Sequence, residues 1–243
     1  MLKKRGIAIV MPSYNEEENI KVLIKKIRAE LLNVRIIIVD DSDLLINKKI
    51  KKIVANDKNI ILISRLKKLG RGTAVVRGFR EALKDKKIKY VFEMDSDLAH
   101  DPKEFVRFLD KIDNGTYDLI IGSRYLPGGK IKNIAKNRTI PSKIINKFLR
   151  LWLNINVTDF TSGFRLYSGS AARKIVSSKI KSKGFITLSE TLYTIKKAGL
   201  NITEVPITWN YRIYGRSNVD ANEFIISLYF VLKMRIESFL KTS

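Results

Sequence analysis

Between Ile7 and Gly122 short apolar runs rich in β-branched residues alternate with stretches of helical periodicity. Ile7–Met11, Arg35–Val39, Ile60–Ile63, Lys89–Met94 and Leu119–Gly122 read as strands. Glu17–Leu31, Lys48–Ala55, Thr73–Leu83 and the segment from Pro102 to Ile112 read as helices, with Pro102 suited to a first helical turn. This alternation predicts an α/β fold, a mostly parallel central sheet with helices on both faces. Parallel strands bring their C-terminal ends to one edge, and ligands of open α/β sheets bind there. The residues that follow each strand therefore matter most.

The first strand is followed by Pro12-Ser13-Tyr14-Asn15-Glu16, the second by Asp40-Asp41 and the fourth by Asp95-Ser96-Asp97. Two carboxylates spaced i, i+2 at a strand end suit a hard divalent cation, Mg²⁺ or Mn²⁺, that holds a diphosphate. The chain has 47 Lys+Arg against 24 Asp+Glu, a formal net charge of +23, so a conspicuous acidic pair points to a cation rather than to solubility. Tyr14 offers a ring for a base to stack on. Taken singly these motifs are weak. Tyr14 and Glu16 also suit an ordinary turn, and Glu16–Glu18 suit a helix N-terminus through its dipole. Gly70-Arg71-Gly72 reads as the start of a helix, and His100 as a loop residue beside the acidic pair. The order of the motifs along successive strands carries the signal.

The pattern changes after Gly122. From Leu119 to Thr158 there are eight basic residues and no acidic one. Pro127-Gly128-Gly129 marks a loop, and Ser142–Leu153 a basic helix whose apolar face carries Ile144, Ile145, Phe148, Leu149 and Trp152. A strand near Arg165–Tyr167, helices around Ser170–Ser177 and Leu188–Ala198, and a strand near Ile202–Thr208 follow. Without a repeat or long linker, residues 1–220 read as one domain. Residues 221–243 read as a C-terminal amphipathic helix packed on that domain or on a membrane surface.

Composition removes several classes. Without cysteine there are no disulfides, thiolate nucleophiles or zinc-thiolate sites, and one histidine excludes a multi-histidine metal centre. No Gly-x-Gly-x-x-Gly follows the first strand, which argues against a dinucleotide-dependent oxidoreductase. The positive charge suits polyanions: nucleic acid, anionic lipid headgroups or phosphorylated substrates. A basic nucleic-acid-binding module explains the charge but not the ordered carboxylates, so no nucleic acid is expected. The apolar run Ile7–Met11 is too short for a signal peptide, and Phe224–Leu232 is far below the roughly 20 residues of a membrane span.

Pro12–Glu16, Val39-Asp40-Asp41, Met94-Asp95-Ser96-Asp97-Leu98 and Gly122-Ser123-Arg124-Tyr125 resemble the successive motifs of family 2 inverting glycosyltransferases with the GT-A fold. Gly122–Gly129, Asp159–Tyr167 and Val205–Thr208 followed by Arg212-Ile213-Tyr214-Gly215 resemble the dolichyl-phosphate mannose synthase branch. The resemblance implies that Pro12, Tyr14, Glu16, Val39 and Asp41 contact the nucleotide of a sugar donor, with Asp95, Ser96, Asp97, Arg124 and Arg212 completing the donor site. It implies Mg²⁺ or Mn²⁺ at Asp95 and Asp97, an acceptor phosphate at Arg124, Arg138 and Ser142, and Asp97, Arg124 and Arg138 as the residues most directly catalytic. Arg212 matches a loop that closes over the donor, and Glu190 a position facing the donor sugar. The chain departs from the pattern at Ser42-Asp43-Leu44-Leu45, where a Gly-rich turn is usual. It departs again at Ala99, where a Gln or Ser that helps bind metal is common, and at Asn218, where a lysine is frequent.

The implied reaction moves a sugar, mannose from GDP-mannose in the first instance, onto a polyprenyl phosphate such as dolichyl phosphate, with inversion. UDP-glucose or a UDP-N-acetylhexosamine as donor, or a saccharide hydroxyl as acceptor, are the alternatives. A phosphate acceptor is already anionic, so no strong general base is needed. It does need cations to hold it beside a second anion, and arginine suits that forked contact. The expected partners are a nucleotide-sugar donor, a polyprenyl phosphate lipid and a membrane surface, with a membrane-anchoring subunit or a homo-oligomer left open. The expected location is cytoplasmic, peripheral on the cytoplasmic face of a membrane.

Overall fold

A computed structural model describes residues 6–134, 140–178, 180, 182, 184, 186–211, 231, 232 and 235. Strands β1 (Ile7–Ser13), β2 (Arg35–Asp40), β3 (Ile60–Ser64), β4 (Tyr90–Glu93), β5 (Leu119–Ser123), β7 (Arg165–Ser168) and β8 (Ile202–Pro206) form one sheet in the order β3-β2-β1-β4-β7-β5-β8. β6 (Lys130–Lys132) and β9 (Thr208–Asn210) form a separate parallel pair. Helices α1 (Glu17–Glu30), α2 (Leu44–Val54), α3 (Arg71–Ala82), α4 (Phe105–Asp113), α5 (Ile140–Leu153), α6 (Gly169–Ser177) and α7 (Thr187–Lys197) connect and cover them.

The period-2 alternation of the strands divides the core into two layers. Ala8, Val10, Ile37, Val39, Val91 and Tyr167 face the layer shared with Phe79 of α3, Ile175 of α6 and Leu192 of α7. Ile9, Met11, Ile36, Ile38, Phe92 and Leu166 face the opposite layer, with Leu23 of α1, Ile50 of α2 and Phe108 of α4. Helices therefore cover both faces of the sheet, as the alternation predicts.

β7 is the exception to the parallel arrangement. It lies between β4 and β5 and runs antiparallel to both, with Glu93 opposite Arg165 and Ile121 also opposite Arg165. Four residues are too few for a pattern to reveal direction. The reversal puts residues 161–163, which lead into β7, at the same edge as the C-terminal ends of β1, β2 and β4.

Three elements differ from expectation for local reasons. α2 begins at Leu44 rather than Lys48, because Asp43 caps it by accepting from Leu45 N at 2.9 Å and Ile46 N at 3.0 Å. The single strand expected over Ile202–Thr208 is two strands. Ile207 bridges them, donating to Ser123 O at 3.0 Å and accepting from Lys130 N at 2.9 Å, and the chain then leaves the main sheet to pair with β6. β6 itself, three residues of alternating exposure, carries no apolar run to announce it. Of the C-terminal helix expected over residues 221–243, only Val231, Leu232 and Arg235 are described, all helical. Val231 is buried, and its carbonyl accepts the Trp152 indole N–H of α5 at 3.1 Å.

Among the described residues no helix is long and apolar enough to cross a membrane.

Candidate active site

The C-terminal edge of the sheet carries a cleft of about 360 Å³. Pro12, Tyr14, Glu16, Asp41, Asp95, Ser96, Asp97 and Arg124 all line it. Strand ends separated by up to 112 positions in sequence thus meet in one cavity. Val39, by contrast, is fully buried in the core and lies outside the lining. Arg138 and Arg212 lie outside the described residues.

Hydrogen bonds between loops fix the edge. Ser96 Oγ donates to Pro12 O at 2.9 Å, tying the end of β4 to β1. Asn15 N donates to Ser42 Oγ at 2.8 Å, and Ser42 Oγ to the buried Asp40 carboxylate at 2.7 Å. Asp41 is held by Arg65, whose Nη2 donates to Oδ2 at 2.7 Å, and by the amides of Leu69 and Gly70. Asp41 thereby pins the loop that precedes α3. Asn15, Leu66 and Leu98 all adopt positive φ, of 59°, 49° and 63°. Non-glycine residues in that region are uncommon, and strained backbone gathers at functional sites.

Asp95 and Asp97 stand in different surroundings. Asp95 Oδ1 accepts from Arg71 Nε at 2.8 Å, and Arg71 Nη1 reaches Glu93 Oε1 at 2.7 Å. Burial works against the Arg71 charge, but Asp95 and Glu93 outweigh it and raise its pKa above the ordinary arginine value. Asp97 Oδ1 accepts from Ala99 N at 3.1 Å. His100 Nδ1 accepts the Asp95 amide at 3.2 Å, and the ring stacks on Phe164 with centroids 5.0 Å apart. Burial holds the His100 pKa below its usual value against the pull of Asp95 and Asp97, so the ring is a neutral support for the loop.

Among the described residues no group of three or more Asp, Glu or His converges on a metal position. Mg²⁺ is typically held by one or two carboxylates, with substrate phosphates and water completing its shell. The all-oxygen pair Asp95 and Asp97 fits that mode for Mg²⁺ or Mn²⁺. Among the described residues there is no self-sufficient protein cage, and Ala99 has no side-chain donor to add.

A second cleft of about 590 Å³ opens beside the first, between the β5–β6 connection and α5. Among the described residues its charged lining is wholly basic: Arg124, Lys143, Lys147 and Arg150. Leu126, Ile131, Ile134 and Val157 supply an apolar wall. Ser142 lies just behind, accepting the Tyr125 hydroxyl at 2.8 Å. Among the described residues Arg124 is the one that lines both clefts. Its Nε and Nη2 fork onto Asp159 at 2.7 and 2.8 Å, and Nη2 also reaches Thr161 Oγ1 at 2.6 Å. Burial opposes both charges, yet each partner stabilises the other: Arg124 is raised and Asp159 lowered from the ordinary pKa.

Several residues of the site escape a reading of the sequence. Arg71 looks like part of a glycine-rich helix start. Asp159 sits in a recognisable motif but shows its purpose only through Arg124. Trp209 and Tyr211 line the first cleft because β9 pairs with β6 and Trp209 bridges to His100, a contact across more than a hundred residues. Glu190 is turned onto the neighbouring segment, accepting from Ser182 N at 2.9 Å.

This arrangement, acidic strand ends at the edge of a mostly parallel sheet with a basic cleft alongside, agrees with the family the sequence matches. The chain belongs to glycosyl transferase family 2, whose pattern spans residues 8–176, and it is a glycosyltransferase with the GT-A fold. Among its relatives are the polyprenol monophosphomannose synthase of Mycolicibacterium smegmatis, 32% identical over 216 residues (88% of this chain, 81% of that protein), and the undecaprenyl-phosphate mannosyltransferase of Micrococcus luteus, 32% identical over 221 residues (88% of each). The glucosyl-3-phosphoglycerate synthase of Mycobacterium tuberculosis, solved with Mn²⁺, UDP and glucosyl-3-phosphoglycerate, shares the fold with a TM-score of 0.65 at 19% identity, over 94% of this chain and 80% of that one.

Proposed function

We propose that this glycosyltransferase moves one sugar from a nucleoside diphosphate to a polyprenyl phosphate, with inversion. One observation carries the reading: Arg124 is the shared wall between an acid-bearing cleft and a wholly basic, partly apolar one. The first suits a nucleotide-sugar with its cation, and the second suits an anionic lipid. The names of the two relatives support a polyprenyl phosphate acceptor and favour mannose, hence GDP-mannose, as donor.

Asp95 and Asp97 would hold Mg²⁺ or Mn²⁺, which would neutralise the departing diphosphate. The surrounding residues do the rest. Tyr14 presents a ring to the base, and the loop pinned by Asp41 shapes the nucleotide pocket. Arg124, fixed by Asp159, orients an acceptor phosphate oxygen toward the anomeric carbon from the side opposite the leaving group. The bond from that carbon to the diphosphate oxygen breaks as the bond to the acceptor oxygen forms. The products are a nucleoside diphosphate and a polyprenyl phosphate sugar. The acceptor is anionic before it attacks, so no carboxylate base is required.

The enzyme would work as a peripheral protein on the cytoplasmic face of a membrane. Ile140, Ile144, Phe148 and Leu151 leave one stripe of α5 between 36% and 69% exposed. Lys143, Lys147 and Arg150 flank that stripe and line the basic cleft. An amphipathic basic helix of this kind lies in the interface, with each lysine near anionic headgroups contributing roughly 1 kcal/mol. The cleft mouth would then open at headgroup level, where a polyprenyl phosphate is found.

A donor panel tests the reading. Purified protein is incubated with Mn²⁺ or Mg²⁺, a short dolichyl phosphate, and GDP-mannose, UDP-glucose or UDP-GlcNAc in parallel. Transfer from GDP-mannose is expected. Transfer only from a UDP-sugar would reassign the donor, and transfer from none by folded protein would refute the proposal.

A further inference from the structure

Arg71 is the first residue of α3, directly after the loop that Asp41 pins through the Leu69 and Gly70 amides. Its backbone is therefore fixed before its side chain reaches the cleft floor. There the guanidinium bridges two carboxylates at the end of β4, with Nη1 on Glu93 Oε1 at 2.7 Å and Nε on Asp95 Oδ1 at 2.8 Å. Positions 93 and 95 are two apart, which puts their side chains on the same side of an extended chain. Glu93 is only 2% exposed, and its Oε2 accepts the hydroxyl of the fully buried Tyr167 at 2.8 Å. Gly163 closes the remaining side. A Cβ there would stand 2.3 Å from Arg71 Nη2 and 2.9 Å from Asp95 Oδ2.

We propose that Arg71 is a positioning residue of the cation site: it fixes the Asp95 carboxylate, while the buried Glu93 balances its charge. The inference rests on the reading that Asp95 and Asp97 hold a divalent ion together with a nucleoside diphosphate. A positive side chain against a metal ligand ordinarily competes with the metal. Here the Arg71–Glu93 pair is neutral as a unit, so Asp95 is held in place while Asp95 and Asp97 still present two negative charges to the cation. Stability alone does not explain the pair, because buried ion pairs are often replaceable by apolar residues without loss. Groups that orient metal ligands from behind are what such an arrangement provides.

The test is a Mn²⁺ titration of the full chain, followed by electron paramagnetic resonance of the free ion, with UDP and in parallel with GDP. Arg71→Lys keeps the charge but loses the fork, and Glu93→Gln keeps the fork but loses the balance. Each is expected to weaken Mn²⁺ binding about 10-fold or more, the usual effect of removing a group that orients a ligand. Nucleotide binding without metal should change less than about twofold, since neither residue is assigned to the base or ribose. Arg71→Lys added to Asp95→Asn should bind no more weakly than Asp95→Asn alone, because both changes act through one carboxylate. If Arg71→Lys does not fold by circular dichroism, Glu93→Gln decides by the same criterion. Wild-type protein that takes up Mn²⁺ with nucleotide, with both variants within about twofold of it or with an additive double variant, would overturn this role alone. Wild-type protein that takes up Mn²⁺ with neither nucleotide would overturn the donor-site reading, and this role with it.

Discussion

Asp159 grips Arg124 through two parallel hydrogen bonds of 2.7 and 2.8 Å, and Asp159 itself is wholly buried. The Arg124 amide donates to the same carboxylate at 3.1 Å, so both ends of the residue are fixed by one partner. The wall between the two clefts is therefore rigid. A guanidinium held by its Nε and Nη2 keeps a defined direction for whatever its remaining edge contacts.

Asp159→Asn should destabilise the fold by roughly 3 kcal/mol, since it leaves a buried cation without its counter-charge. Urea denaturation measures this. The sign of the pH dependence follows from the depressed Asp159 pKa. The pair's contribution is fully present above the ordinary carboxylate pKa of about 4 and is lost as pH falls through the lower folded value. The stability gap between wild type and Asp159→Asn should accordingly shrink below about pH 4. A constant gap across that range would remove the ion pair as its cause.

Glu204 supports Asp159 from beneath. It accepts from Thr158 N at 2.7 Å, Thr158 Oγ1 at 2.9 Å and Asp159 N at 3.0 Å. Glu204→Ala leaves these donors without their acceptor, at a cost on the order of 1–3 kcal/mol for each buried group. The acceptor KM should rise while the donor KM stays close to that of wild type. Equal rises in both would show that the loop serves the whole site.

Leu98 follows Asp97 with φ at 63°. A β-branched residue is a genuine outlier in that region, whereas asparagine tolerates it. Leu98→Val should therefore displace the Asp97 loop and reduce turnover about 10-fold or more, and Leu98→Asn should retain more activity than Leu98→Val. Comparing kcat for the pair checks this. The reverse order would mean that the Leu98 side chain matters more than its backbone.

Gly163→Ala should push Arg71 away from Glu93 and Asp95, given the 2.3 Å approach to Nη2. Metal-dependent turnover should fall while circular dichroism remains native. Unchanged turnover would mean that Arg71 can move aside without disturbing Asp95.

Much of this was legible in the sequence where the signal is local. The apolar runs ending in Asp40-Asp41 and before Asp95-Ser96-Asp97 predict both the strands and the edge where they end. The acid-free stretch up to Thr158 anticipates a basic cleft. What could not be read depends on contacts between distant segments. The antiparallel direction of β7 is set by its pairing with β4 and β5, and residues 161–163, just before it, line the cleft. Trp209 reaches the site through a two-strand pairing of three residues each. Arg71 acquires meaning only because Glu93, a carboxylate inside an apolar strand, needs a partner.

The division of labour across Arg124 is the central claim, and steady-state kinetics with a detergent-soluble, short-chain polyprenyl phosphate tests it most directly, since membrane docking then plays no part. Lys143→Ala with Lys147→Ala should raise the acceptor KM about 10-fold, equivalent to roughly 1.4 kcal/mol of lost binding, and leave the donor KM within about twofold. Asp97→Ala should abolish transfer in folded protein. A double variant that raises both KM values equally, or neither, would contradict the account.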